Sequence, residues 1–222
     1  MLNPFPRVFY IYDALCGWCY GFKANILRLE QAYSSKLAFE VLSGNMVPQE
    51  RAEHIGVMAS YIASAYKRVE EMTGCEFGPL YLEHIFNPEK SDWKLHSETA
   101  GIALSAYKRL EKGKELEFAA DIQNLLMRDG VDITNTEAYR SLCPKYGIEE
   151  KAFMEMLKEE ESRDLAHAEY AMVKQLGITG FPCVLVQVDE RKLYMIAKGY
   201  TSYEELKMRL DKVLEDYRIA NN

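Results

Sequence analysis

Two cysteines, Cys16 and Cys19, stand close together in the phrase Asp13-Ala14-Leu15-Cys16-Gly17-Trp18-Cys19. Before them runs Val8-Phe9-Tyr10-Ile11-Tyr12, dense in β-branched and aromatic residues and therefore a buried strand. After them Trp18, Phe22, Ile26, Leu29 and Tyr33 recur at helical spacing, which predicts a helix to about Tyr33. The pair therefore opens a helix, where unpaired N–H groups and the positive dipole end favour a thiolate. Cys16 is expected to be exposed there as the attacking thiol. Cys19, one turn on, is expected to stay protonated by burial and to act as the resolving thiol. An acidic thiol with a resolving neighbour is the minimum requirement for thiol–disulfide exchange.

Other uses of two cysteines fit less well. A zinc site needs a second close pair, and Cys75, Cys143 and Cys183 are scattered. A c-type haem site needs histidine after the second cysteine, where this chain has Tyr20. Coincidence or a lost activity remains as an alternative. No metal and no bound organic cofactor is expected. Cys75, Cys143 and Cys183 read as small buried apolar residues, although Cys183 also has the sequence position to approach the pair. The histidines, at 54, 84, 96 and 167, fall on stretches read as helical, and Glu155 to Glu161 reads as a solvated helix face.

The whole chain must be able to position these thiols. Its 222 residues are enough for a core that needs no disulfide or metal. Apolar residues make up 48% and charged residues 27%, the balance of a globular protein rather than a disordered or fibrous one. With 34 Asp and Glu against 27 Lys and Arg the net charge is −7, which argues against nucleic acid as a partner. No apolar run is long enough to span a membrane. The opening Met1-Leu2-Asn3-Pro4-Phe5-Pro6-Arg7 lacks the pattern of a signal peptide, so a cytoplasmic location is expected, where structural disulfides are rare.

The remaining elements frame the pair. Leu37 to Leu42 is a second strand, completing β-α-β. From about Glu50 to Glu161 the pattern is helical, with no strands: Ile55, Met58, Ile62, Tyr66 and Val69 form one stripe and Leu95, Thr99, Ile102, Ala106 and Leu110 another. A third stripe runs through Ala119, Ile122 and Leu126, and Thr134-Asn135-Thr136-Glu137 reads as a capping box for a helix ending before Pro144. A helix over about Ser162 to Leu176 ends at Gly177. Then come Gly180-Phe181-Pro182, a strand over Cys183 to Val188, a returning strand over Leu193 to Ala197, and a helix capped by Ser202 with Glu205. This predicts an α/β fold in three segments: residues 1–46, a helical insertion at 47–161, and 162–222.

In layout the chain resembles the DsbA branch of the thioredoxin superfamily: β-α-β with Cys-x-x-Cys at the helix start, a long helical insertion, and a Gly-Phe-Pro β-β-α tail. The phrase from Asp13 to Phe22 is most similar to the cytoplasmic FrnE-like subgroup of predicted disulfide isomerases and oxidoreductases. The resemblance implies a thioredoxin-like fold, Cys16 as nucleophile, Cys19 as resolving thiol, and Pro182 as a cis proline beside them. It also implies that the backbone of Phe181 pairs with an extended substrate. Periplasmic DsbA proteins typically carry Pro-His between the cysteines and thioredoxins Gly-Pro. Gly17-Trp18 is neither, so the pair should be less oxidising than DsbA. The family's buried acid, six residues before the first cysteine, falls on Tyr10. Asp13, the nearest carboxylate, reads first as a loop-capping residue and second as a proton relay.

Trp18 is either a substrate contact or a core residue of the first helix, and the solvent-facing helix start favours contact. The expected substrates are disulfide-bonded proteins or small-thiol disulfides, with glutathione or thioredoxin as reductant. One rival is a glutathione-binding transferase or isomerase of the kappa or 2-hydroxychromene-2-carboxylate isomerase type. Those proteins usually carry serine at the position of Cys16 and lack the second cysteine. The other rival is a redox-switched binding module without turnover.

Overall fold

The computed structural model describes residues 6–221, so Met1 to Phe5, the first part of the opening read for a leader, lie outside the description. In chain order the elements begin β1 (Arg7–Tyr12), α1 (Gly17–Tyr33), β2 (Ala38–Ser43), β3 (Glu53–His54), α2 (Gly56–Thr73) and α3 (Pro79–Phe86). They continue β4 (Lys94–Leu95), α4 (Glu98–Lys108), α5 (Glu115–Met127), α6 (Cys143–Tyr146), α7 (Glu150–Met156) and α8 (Glu160–Gln175). The chain closes with β5 (Cys183–Gln187), β6 (Leu193–Lys198) and α9 (Tyr203–Asn221). Among the described residues no helix is long and apolar enough to cross a membrane.

The main sheet has the order β2-β1-β5-β6. β1 pairs in parallel with β2, as a strand-helix-strand crossover requires, and antiparallel with β5. β5 returns antiparallel through β6. β1 and β5 are central and covered on both faces, which is why both read as nearly continuous apolar runs. Val8, Tyr10, Tyr12, Val41, Val184 and Val186 face the main core, which includes α1 residues Phe22, Ile26 and Leu29 and α9 residues Leu206 and Leu210. Phe9, Ile11, Leu42, Cys183 and Leu185 face the opposite way, against Val173 of α8.

The free edge of β2 is capped by side chains. Lys108 Nζ donates to the Val41 carbonyl at 2.5 Å and pairs with Glu169, whose other oxygen accepts from Ser43 N at 3.2 Å. An ion pair thereby closes backbone groups that would otherwise invite another strand.

Several expectations need correction. The helical stretch contains a two-stranded pairing, β3 with β4, each strand being too short for a periodic signal. Thr134 does not cap a helix. Its hydroxyl donates to Asp132, and Asn135 caps a 3₁₀ segment, Thr136–Leu142, by accepting from Glu137 N. Pro144 opens α6 rather than stopping a helix, as its missing N–H permits at a first turn. Met58 is 50% exposed, and Ala59 takes its place in the buried face of α2. Residues Ala100 to Tyr107 are all buried, so α4 is a core helix without a polar side there. His54 lies on β3 and His96 between β4 and α4, neither on a helix.

Candidate active site

The site is built where β1 hands over to α1. Cys16 is the N-cap of α1, in extended conformation, and its Sγ accepts the Cys19 backbone N–H at 3.3 Å. The sulfur thus takes the place of the usual hydroxyl or carboxylate cap and receives one of the helix's orphan donors. All five cysteines are free thiols. Contrary to expectation Cys16 is only 7% exposed, because the segment before β5 closes over it. Its thiol donates to the Phe181 carbonyl at 3.6 Å, across 165 positions of sequence. Cys19 is fully buried. Burial pushes its thiol well above the ordinary range, and Cys16 raises it further.

Phe181 meets Cys16 through its carbonyl, and the surrounding backbone makes room for it. The Phe181–Pro182 bond is cis. The Pro182 carbonyl accepts Gly199 N at 2.7 Å, which ties the segment to the end of β6. The Phe181 ring occupies the space where a side chain on Gly44 would stand, 2.1 Å from the position of its Cβ. Gly44 itself donates to the Tyr12 carbonyl at 2.8 Å.

The loop carrying Cys16 is gripped by Asp13 and Gln123. Asp13 is fully buried, and its carboxylate accepts from Leu15 N at 2.9 Å, Met46 N at 2.6 Å and Ser97 Oγ at 2.9 Å. Burial raises its pKa, and those three donors pull the other way. It therefore joins the loops after β1 and β2 to the start of α4, which is the loop-capping role read from sequence. Gln123, buried on α5, donates from Nε2 to the Asp13 carbonyl at 3.1 Å and to the Cys16 carbonyl at 3.3 Å. Sequence reading missed Gln123, Gly44 and Ser97. Gln123 did carry a signal: with Leu116, Ala119 and Ala120 it shares one helical face, and an amide in an apolar stripe implies a buried hydrogen-bonding duty.

The remaining candidates separate clearly. Trp18 is half-buried, with its ring 6.4 Å from that of Tyr200. Cys183 faces the other side of the sheet from Tyr10 and Cys19, and burial raises its thiol to about 11. Cys143 is buried and donates to the Tyr139 carbonyl at 3.7 Å. Cys75 is half-buried near Lys23, and burial raises its thiol too. Lys23 lies over the Tyr20 ring at 3.4 Å and donates to Asn124 at 2.5 Å. Burial lowers the lysine to about 8. Among the described residues no group of three or more His, Cys, Asp or Glu side chains is placed to hold a metal ion.

Comparison with known proteins bears on the family and the fold. The DSBA-like thioredoxin domain matches residues 7–211. No curated protein matches the chain. Among solved structures, a candidate protein disulfide isomerase from Nitrosomonas europaea is 26% identical, with a TM-score of 0.80 over 95% of this chain and 98% of that one. The cytosolic disulfide reductase DsbM from Pseudomonas aeruginosa is 23% identical, with a TM-score of 0.73 over 94% of this chain and 98% of its own. The same reductase has also been solved with GSH, with a TM-score of 0.71 at 23% identity, over 94% of this chain and 99% of its own. A 2-hydroxychromene-2-carboxylate isomerase shares the fold at 14% identity, with a TM-score of 0.61 over 96% of this chain and 97% of its own.

Proposed function

The chain belongs to the DsbA-like thioredoxin family, and from that premise we propose that it is a thiol–disulfide oxidoreductase working through Cys16 and Cys19. One observation carries the reading: the Cys16 sulfur caps α1, accepts the Cys19 N–H, and faces the Phe181 carbonyl. The sulfur receives an orphan helix donor, and the backbone segment beside it is the one we propose pairs with an extended peptide.

The Cys16 thiolate attacks one sulfur of a substrate disulfide. A Cys16–substrate disulfide forms, the substrate S–S bond breaks, and the other substrate sulfur leaves as a thiolate that takes a proton. Cys19 then loses its proton and attacks Cys16 Sγ, releasing the second substrate thiol and leaving a Cys16–Cys19 disulfide. A dithiol or two molecules of glutathione return the pair to its reduced form. Trp18, Phe181 and Pro182 are proposed to contact the substrate around the leaving sulfur.

We read the working direction as reduction in the cytoplasm, within the FrnE-like subgroup, with glutathione or thioredoxin as reductant. The DsbM similarity supports that direction. A glutathione transferase or isomerase reading is less favoured because both thiols are present and Cys16 Sγ accepts the Cys19 N–H.

The test is a pair of serine variants exposed to a disulfide-bonded protein and resolved on non-reducing gels. Cys19→Ser should trap a covalent adduct, and Cys16→Ser should trap none. Adducts from Cys16→Ser alone reverse the assignment. Adducts that require Cys75, Cys143 or Cys183 discard it. Turnover of a chlorinated aromatic with glutathione, without disulfide reduction, would favour the transferase. Adducts without turnover would favour the binding module.

A further inference from the structure

One buried hydroxyl beside the thiols has no task in the mechanism above. Tyr10 lies on β1, and its side chain belongs to the face covered by α1. Its ring is 5.8 Å from both Phe22 and Tyr12, and the residue is only 3% exposed. Its hydroxyl has no hydrogen-bond partner of ordinary geometry among the described residues. Burying a hydroxyl unpaired is costly, and such groups in folded proteins call for an explanation. Phe22, which packs on the Tyr10 ring, follows Cys19 by one turn of α1, so Cys19 shares the helix face that covers Tyr10, and the two residues belong to one buried cluster with Cys16.

The chemistry of Cys19 explains the vacancy. As a thiol, its sulfur is a weak acceptor and offers the phenol little. As a thiolate, it becomes a charged acceptor, and hydrogen bonds to charged groups are about twice as strong as neutral ones. Burial also keeps the phenol well above its ordinary pKa of 10, so it holds its proton and acts as a donor rather than a base. Resting on the exchange reading, we propose that the Tyr10 O–H donates a hydrogen bond to the Cys19 thiolate and so promotes resolution of the mixed disulfide.

In that step the Cys19 proton goes to solvent. The Cys19 thiolate attacks Cys16 Sγ, a Cys16–Cys19 bond forms, and the Cys16–substrate bond breaks. The electron pair leaves on the substrate sulfur, which takes up a proton, while Tyr10 keeps its own. In the reverse direction Cys19 is the leaving thiolate, and the same hydrogen bond stabilises it. The titratable groups facing Cys19 are Cys16, Asp13 and Tyr10, and Tyr12 faces Tyr10 from the same strand.

Ellman's reagent separates the steps. Attack by Cys16 releases one thionitrobenzoate, and attack by Cys19 on the resulting mixed disulfide releases a second. Stopped-flow absorbance of the full-length protein as a function of pH reads both phases. Tyr10→Phe should leave the first phase within about twofold. It should raise the midpoint of the second phase's pH profile by about one to two pH units, the worth of one charged hydrogen bond. The second phase at neutral pH should slow roughly three- to twelvefold, because lost thiolate fraction is partly offset by a more nucleophilic thiolate. Tyr12→Phe is the control. It removes an equally orphaned buried hydroxyl whose first charged neighbour is Asp13, and it should keep the parent midpoint. Equal midpoints in parent and Tyr10→Phe overturn the proposal, as does an equal shift in Tyr12→Phe. A parent that releases only one thionitrobenzoate overturns the exchange reading itself, and the proposal with it.

Discussion

Replacing Gln123 by methionine isolates the grip of the helical stretch on the reactive loop. Methionine keeps the length and volume of the side chain, so no cavity opens and packing changes little. What disappears is the amide that donates to both the Asp13 and the Cys16 carbonyls. Neither carbonyl is orphaned, because Asp13 O still accepts Cys16 N at 3.1 Å and Cys16 O still accepts Tyr20 N at 3.0 Å. The loss is therefore two ordinary hydrogen bonds without an added desolvation penalty, about 2 kcal/mol. Burying a thioether in place of an amide recovers part of this, leaving a net destabilisation of about 1–2 kcal/mol. For a chain of this length that lowers Tm by about 2–8 °C. Thermal unfolding of the reduced protein reads the shift, and Gln123→Glu, which has no donor when ionised, should be lower still. A methionine variant melting within 1 °C of the parent (a margin below the ~2 °C expected) would refute the claim that α5 holds the loop through this amide.

Three further outcomes are expected. Gly44→Ala should displace the Phe181 ring, since 2.1 Å is far inside contact distance. It should cost about 1–3 kcal/mol and weaken protein-disulfide reduction more than reaction with a small disulfide, measured by denaturation and paired kinetics. Glu30 is half-buried, and burial together with Glu117 and Glu115 pushes it up to about 7. Its folded pKa lies above its unfolded one, so its relative stabilisation is complete below about pH 4 and is lost as pH rises through about 7. Glu30→Gln should therefore stabilise the protein by about 1 kcal/mol at pH 8, after allowance for solvent screening, and leave it unchanged at pH 4. The Cys16/Cys19 pair, lacking an intervening histidine, should titrate against glutathione at roughly −150 to −260 mV, between DsbA and thioredoxin. A potential at or above that of DsbA would defeat the argument from the dipeptide.

Local chemistry made much of this legible along the chain. The apolar run at Val8 to Tyr12 and the helical spacing after Trp18 put Cys16 at a helix start, because both periodicities belong to single elements. The glycine at 177 and the Ser202 cap likewise mark ends that neighbouring residues determine, and Gly177 has a φ of +69°. Long-range arrangement was hidden. Cys16 reads as exposed when only its helix is considered, yet Phe181, brought in by the segment before β5, covers it. Gly44 looks like an ordinary strand-ending glycine until the Phe181 ring is seen in its missing side-chain space. Met58 fits the apolar spacing of α2 as well as Ala59 does, and only the neighbours of that helix decide which residue is covered. Gln123 and Ser97 reach the reactive loop from α5 and from the start of α4, after separations that no periodicity records. Spacing along a chain encodes which side chains share a face. Which loops then meet depends on how the faces pack, and that packing sets the burial of Cys19, the grip on Asp13 and the packing of Tyr10 against Phe22 of α1.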